Sequence, residues 1–193
     1  MEPLMIIPKM LDRLGDEESF RVFFTRVLQA LAAAVAIGAA FAFIVGWKKV
    51  FELDGEEVVG GSVYQLLFLL AAYAIVHILL VRAQTMRSAA AAAPAPVAVA
   101  AAVLKAAGEI AGIACAALGT GGGILVWFAG RGADDLFVQT SFLLPFLEAA
   151  PASFLAGATL IAKGVLYGLA ALLAGYLLAA LLGLVRRRPA EGV

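Results

Sequence analysis

The sequence has almost none of the residues that build catalytic, metal or disulfide sites. Among its 193 residues are one cysteine and one histidine, and its formal net charge is zero. A single cysteine, Cys115, excludes an internal disulfide and a cysteine-based zinc site, and a single histidine excludes a two-histidine haem site. The balanced charge gives no indication of nucleic-acid binding. No motif of a catalytic or cofactor-binding class is present, so we do not expect an enzyme and can name no cofactor.

The sequence is instead rich in long apolar stretches. Hydrophobic residues make up 64% of it, against about 45–50% in an ordinary soluble domain. Four stretches without Asp, Glu, Lys or Arg cover residues 27–47, 58–81, 110–130 and 164–185. Crossing a hydrocarbon core takes about 20 apolar residues in a helix. We therefore predict an all-α integral membrane four-helix bundle over residues 27–185, with two tandem helical hairpins as a further possibility. In that case Gly38 aligns with Gly119.

The distribution of Lys and Arg predicts the orientation. Ten of them lie on the two tails and the middle connection, and four lie on the opposite side. Cytoplasmic segments carry the excess of Lys and Arg, so both termini are expected in the cytoplasm, most simply of a bacterial cytoplasmic membrane. The basic tail 186–193 carries Arg186, Arg187 and Arg188, which are expected to anchor to anionic headgroups.

The first half of the chain contains clear boundary signals. Residues 1–26 are predicted to be a cytoplasmic segment with an amphipathic start, and Asp16 is the expected N-cap of a helix that begins near Glu17 and crosses the membrane. The short acidic connection after span one contains Gly55, Gly60 and Gly61, which we predict to form turns.

Two later segments are unusual. Residues 88–102 consist almost entirely of Ala, Pro and Val, and Pro94 and Pro96 favour an extended cytoplasmic linker over a helix; a fifth span is the alternative. Residues 134–162 are apolar but are interrupted by charges and prolines. They are predicted to form an outer interfacial segment, with a re-entrant pair of half-helices or docking to a partner subunit as alternatives.

Small residues recur every fourth position in three of the four spans, which lets helix backbones approach closely in lipid. The packing residues predicted from these rows are Ala34, Gly38, Ala42, Gly112, Gly119, Gly123, Gly168 and Gly175. The rows predict a tight bundle, with one row left over for another subunit.

A run of glycines interrupts the third span. Successive glycines weaken a helix, so Thr120, Gly121 and Gly122 mark one of two features. The first is a kink or close helix crossing, and the second is an unwound segment whose carbonyls line a pore or cavity.

Polar side chains near the membrane are few. His77 and Tyr73 share a face of span two and are candidates for holding a headgroup or a cofactor; the alternative is a histidine hydrogen-bonded between helices. Glu109 and Lys105 are predicted to form an ion pair one turn apart. Lys163 is predicted to mark the outer start of span four and to snorkel. No span contains a carboxylate, which a proton-coupled transporter usually needs.

These features favour a non-catalytic membrane subunit or scaffold. Its expected partners are the lipid bilayer and either other membrane subunits or further copies of the chain. One alternative is a small oligomeric channel or transporter that uses residues 119–123 and His77. The other is a lipid- or quinone-binding subunit of a membrane enzyme.

Overall fold

The computed structural model describes residues 16–88, 94–129 and 154–185. These residues form four long helices, which are α1 (Glu17–Val50), α2 (Glu57–Ser88), α3 (Ala95–Ala129) and α4 (Phe154–Val185). No strand occurs within these three ranges. The predicted all-α, four-helix fold is confirmed.

Several predicted features lie outside the described residues. They are the amphipathic start of the chain up to residue 15, the greater part of the interfacial segment at 130–153, and the basic tail with Arg186, Arg187 and Arg188.

α1 begins where the sequence predicts. Asp16 is its N-cap, and the carboxylate of Asp16 accepts hydrogen bonds from the backbone N–H of Ser19 at 3.1 Å and from the Ser19 hydroxyl at 3.0 Å. These bonds stabilise the ionised carboxyl and so hold the pKa of Asp16 below its usual value. After α1 ends, the turn into α2 places Gly55 at φ +56°, a left-handed conformation that glycine adopts without strain.

The two glycines that follow have a different role from the one predicted. We expected turns at Gly60 and Gly61, but both lie near the start of α2. A Cβ on Gly60 would lie 2.7 Å from the Cβ of Phe128, and a Cβ on Gly61 would lie 3.0 Å from Cγ2 of Val50. Because these side chains are missing, α2 packs closely against α3 on one side and α1 on the other.

α3 begins earlier than the predicted linker allows. The linker was expected to continue to residue 102, but the helix starts at Ala95. The carbonyl of Pro94 accepts hydrogen bonds from the N–H groups of Val97 and Ala98 at 3.1 and 3.2 Å. Pro96 lies in the first turn, where its missing N–H has no intrahelical partner to lose. The prolines therefore start the helix and do not prevent it.

α4 also begins earlier than predicted, at Phe154 and not near residue 164. The end of the predicted interfacial segment is thus the first part of the fourth helix. Contacts with α3 hold it there, because the Trp127 indole donates a hydrogen bond of 2.9 Å to the Phe154 carbonyl and Leu160 is buried beside Leu118. As a consequence, Lys163 lies well inside the helix and not at its start.

Helices that are neighbours in the sequence pack against each other, in the antiparallel direction. The largest interface joins α3 and α4, followed by α2 with α3 and α1 with α2, while α1 touches α3 only lightly. One buried apolar cluster is formed by Tyr64, Leu118, Leu125, Val126 and Leu160. A second is formed by Leu28, Ala32, Leu79, Ala83, Met86 and Val99.

Two groups of distinctive side chains lie towards opposite ends of the bundle. We call one the aromatic end, and its residues include Trp47, Trp127, Phe128 and Phe154. We call the other the charged end, and its residues are Arg82, Lys105, Glu109 and Tyr176. A helix rises about 1.5 Å per residue, so the two ends are separated by about 27 Å along α3 and about 33 Å along α4. This separation matches a hydrocarbon core of about 30 Å.

Candidate functional site

The backbones of α3 and α4 meet along a row of glycines, which we call the glycine seam. Its residues are Gly108, Gly112, Gly119 and Gly123 of α3 and Gly157, Gly164, Gly168 and Gly175 of α4. A Cβ on Gly119 would lie 2.5 Å from the Cα of Gly164, and a Cβ on Gly112 would lie 3.0 Å from the carbonyl oxygen of Gly168. The two backbones therefore touch, as small residues permit in lipid.

The run of glycines in α3 is a point where three helices meet. α3 stays helical through residues 119–123, so the segment is not unwound. Gly119 faces α4, whereas a Cβ on Gly121 would lie 3.0 Å from Cδ2 of Tyr64 on α2. Gly122 is buried and Thr120 is half-buried. In this arrangement the glycines make room for neighbours on two sides of one helix.

The row of small residues on α1 has different surroundings. Ala34, Gly38 and Ala42 are all exposed, and a Cβ on Gly38 would meet nothing within 4 Å. We call these three residues the outward row. When the two halves of the chain are aligned, Gly38 corresponds to Gly119. The two glycines have different surroundings, because Gly119 is buried against α4.

A charged cluster links α2, α3 and α4 at the charged end. Arg82 Nε donates to Glu109 Oε2 at 3.1 Å, and the Nη2 group of Arg82 pairs with the other carboxylate oxygen. The Tyr176 hydroxyl donates to Glu109 Oε1 at 2.5 Å and accepts from Arg82 Nη2 at 3.1 Å. Lys105 Nζ lies 5.5 Å from the centre of the Tyr176 ring, within the range of a cation–π interaction.

The contacts in the charged cluster show that the predicted partner of Glu109 was wrong. We expected Glu109 to pair with Lys105 on the same helix, but Glu109 pairs with Arg82 of α2, and Lys105 lies over the Tyr176 ring. Two-point contact between a guanidinium and a carboxylate is stronger and more directional than a single ammonium contact. The side chains of Arg82 and Glu109 are only 18% and 16% exposed, so water competes little for this pair.

The charged cluster was not identified from the sequence, although a signal for it exists. Arg82 directly follows span two and Glu109 directly precedes span three. Adjacent antiparallel spans place these two positions at the same depth, which favours a pair between helices. Nothing comparable marks Tyr176, which lies within the apolar sequence of α4.

His77 and Tyr73 lie on the outside of the bundle. Both are exposed, and their rings stack with centroids 6.2 Å apart and planes inclined by 18°. The pair therefore faces the surroundings of the chain and not its interior.

Comparison with protein-family models, curated proteins and solved structures found no match for this chain. The class of protein consequently rests on the fold. All four helices are long and apolar enough to cross a membrane, and this suggests an integral membrane protein.

Proposed function

We propose that the chain is a non-catalytic subunit or scaffold of a larger membrane assembly, and that it binds a transmembrane helix of another subunit through the outward row of α1. In this proposal both termini lie in the cytoplasm and the assembly resides in a bacterial cytoplasmic membrane. The observation that carries the proposal is the contrast between the small-residue rows. The rows on α3 and α4 close on each other at Gly119 and Gly164, whereas the row on α1 has open space at Gly38.

The polar groups inside the bundle support a structural role. Both carboxylate oxygens of Glu109 are engaged by Arg82, and one also accepts a hydrogen bond from Tyr176. The carboxylate is thus held by side chains of the bundle itself through charge-assisted contacts. The charged cluster thus links α2, α3 and α4 through side-chain contacts.

The test is to replace Gly38 with Leu and to measure which membrane proteins co-purify in stoichiometric amounts under gentle detergent. A Cβ on Gly38 would meet nothing within 4 Å, so the leucine is expected to extend into the space that a partner backbone would occupy. Gly38→Leu is expected to lose the partner while the chain still folds. Ala40→Leu is the matched control, because Ala40 is also exposed but points about 160° away from Gly38 around the helix. Equal recovery of the partner with both variants would refute the role of the outward row.

The same preparation distinguishes a channel from a scaffold. Liposomes that contain only this chain are expected to show no selective flux of ions or small solutes. Selective flux that disappears in Gly122→Val would instead establish a pore at the run of glycines and overturn the scaffold proposal.

A lipid- or quinone-binding subunit is the second candidate, and the stacked pair of His77 and Tyr73 favours it. An exposed imidazole beside a phenol offers a flat surface with polar edges to a ring or headgroup in the bilayer. Extraction of the purified protein should then yield a bound quinone or lipid that His77→Leu no longer retains.

A further inference from the structure

The early start of α4 places a lysine near the middle of the membrane. Lys163 lies about 14 Å along α4 from Phe154 at the aromatic end, and about 20 Å from Tyr176 at the charged end. Its neighbour Gly164 packs against α3, where a Cβ on Gly164 would lie 2.6 Å from the Cα of Gly119. Gly119 itself is about 12 Å from Trp127 and about 15 Å from Glu109 along α3. The distances along α4 and along α3 thus both place Lys163 in the central part of the hydrocarbon layer.

Lys163 faces away from the bundle. It is exposed, and within the described ranges no hydrogen bond or ion pair reaches it. Helical side chains tilt toward the N-terminus, so the ammonium group leans toward the aromatic end. A lysine stem extends only about 6 Å, which leaves the charge inside the hydrocarbon layer.

An acidic neighbour would stabilise a lysine in this position. Ionisable groups in transmembrane helices pair with one another or face a water-filled cavity, since lipid tails offer no partner. The described part of the chain has one carboxylate inside the bundle, that of Glu109, and Arg82 already occupies it. A second copy of these helices would therefore bring no free acid to this depth.

We propose that the outer face of α4 around Lys163 docks a transmembrane helix of another protein that carries an Asp or Glu at mid-membrane depth. The charge complementarity between the ammonium and that carboxylate selects the partner. This site lies on α4 and is independent of the outward row on α1.

The proposal can be tested with defined peptides and the full-length protein in liposomes. The probe is a polyleucine transmembrane peptide with one Glu at its centre, and association is measured by fluorescence energy transfer. We expect it to bind about tenfold more tightly than an all-leucine peptide, the scale of polar helix–helix contacts in model membranes. A peptide with Gln at the centre should bind less tightly than the Glu peptide, and so should a peptide with Glu near its end.

Variants of the protein assign the effect to Lys163. Lys163→Leu should lose the preference for the Glu peptide and Lys163→Arg should keep it. Lys48→Gln should leave it unchanged, because Lys48 is exposed close to the aromatic end. Circular dichroism of each variant confirms that the helices are intact.

Three results would overturn the proposal. Equal binding of the Glu and leucine peptides to the wild-type protein would mean that the lysine reaches the surface unaided. A preference that survives Lys163→Leu would place the site elsewhere. Binding only after D134N, D135N and E148Q are combined would show that the chain supplies its own carboxylate.

Discussion

The glycine seam makes a strong prediction at Gly119. In Gly119→Ala the new Cβ would lie 2.5 Å from the Cα of Gly164 and 3.0 Å from the carbonyl oxygen of Leu160. Both are backbone atoms of α4, so no side chain can rotate away. Carbon atoms pack at about 3.5–4.0 Å, and α4 must therefore move outward by about 1 Å, which forfeits a quarter to a half of the dispersion energy of the contacts it opens. Overpacking of this kind costs about 1–3 kcal/mol.

Gly38→Ala is the matched control for this experiment. Both replacements gain about 1 kcal/mol of helix propensity at most, but a Cβ on Gly38 meets nothing within 4 Å. The difference between the two variants thus reports the packing cost alone. Unfolding of the purified protein by SDS in mixed micelles, followed by circular dichroism, should show Gly119→Ala unfolding at a lower SDS fraction than Gly38→Ala. Coincident transitions would refute the close contact between α3 and α4.

Three further predictions concern packing, electrostatics and topology. Gly168→Leu and Gly175→Leu should impair folding, because a Cβ at either site meets a backbone oxygen of α3 at 2.6–2.7 Å. Leu172→Ala should lower the stability only slightly, since Leu172 is 37% exposed. Normal stability of both glycine variants in the SDS assay would contradict this prediction. Glu109→Gln should destabilise the protein by about 2–3 kcal/mol, less than the 3–5 kcal/mol typical of a fully buried pair. Adding Arg82→Gln to this variant should restore part of the lost stability. Additive losses in a double-mutant cycle would argue against the pair. Single cysteines at Gly55 and Gly132, in a chain without Cys115, should react with impermeant reagents from outside and one at Ser88 only from inside; labelling of Ser88 from outside would reverse the proposed orientation.

The existence of the helices follows from the sequence because the bilayer sets their minimum length. Any uncharged apolar stretch of about 20 residues reads as a span, and the N-cap at Asp16 follows from side-chain chemistry at one position. The start of α3 was missed because a proline blocks a helix only in its interior. At Pro96 the helix has no preceding turn with which the ring can clash.

The partners of each residue were harder to predict than the helices. A row of small residues shows that a backbone can approach, but it does not show whether the approaching helix is in the same chain. Gly38 and Gly119 look alike in the sequence, yet one is open and the other is buried. Glu109 was assigned to Lys105 because only neighbours on the same helix are visible from spacing, whereas Arg82 reaches Glu109 through the fold.

The order in which the helices pack has a consequence for biosynthesis. A ribosome delivers α1 first and α4 last, and each new helix finds the surface that it needs already present in the membrane. The connections from α1 to α2 and from α2 to α3 are short, so little chain entropy is lost when each pair closes. The order of synthesis is thus also the order of packing, and no helix has to be displaced to admit a later one.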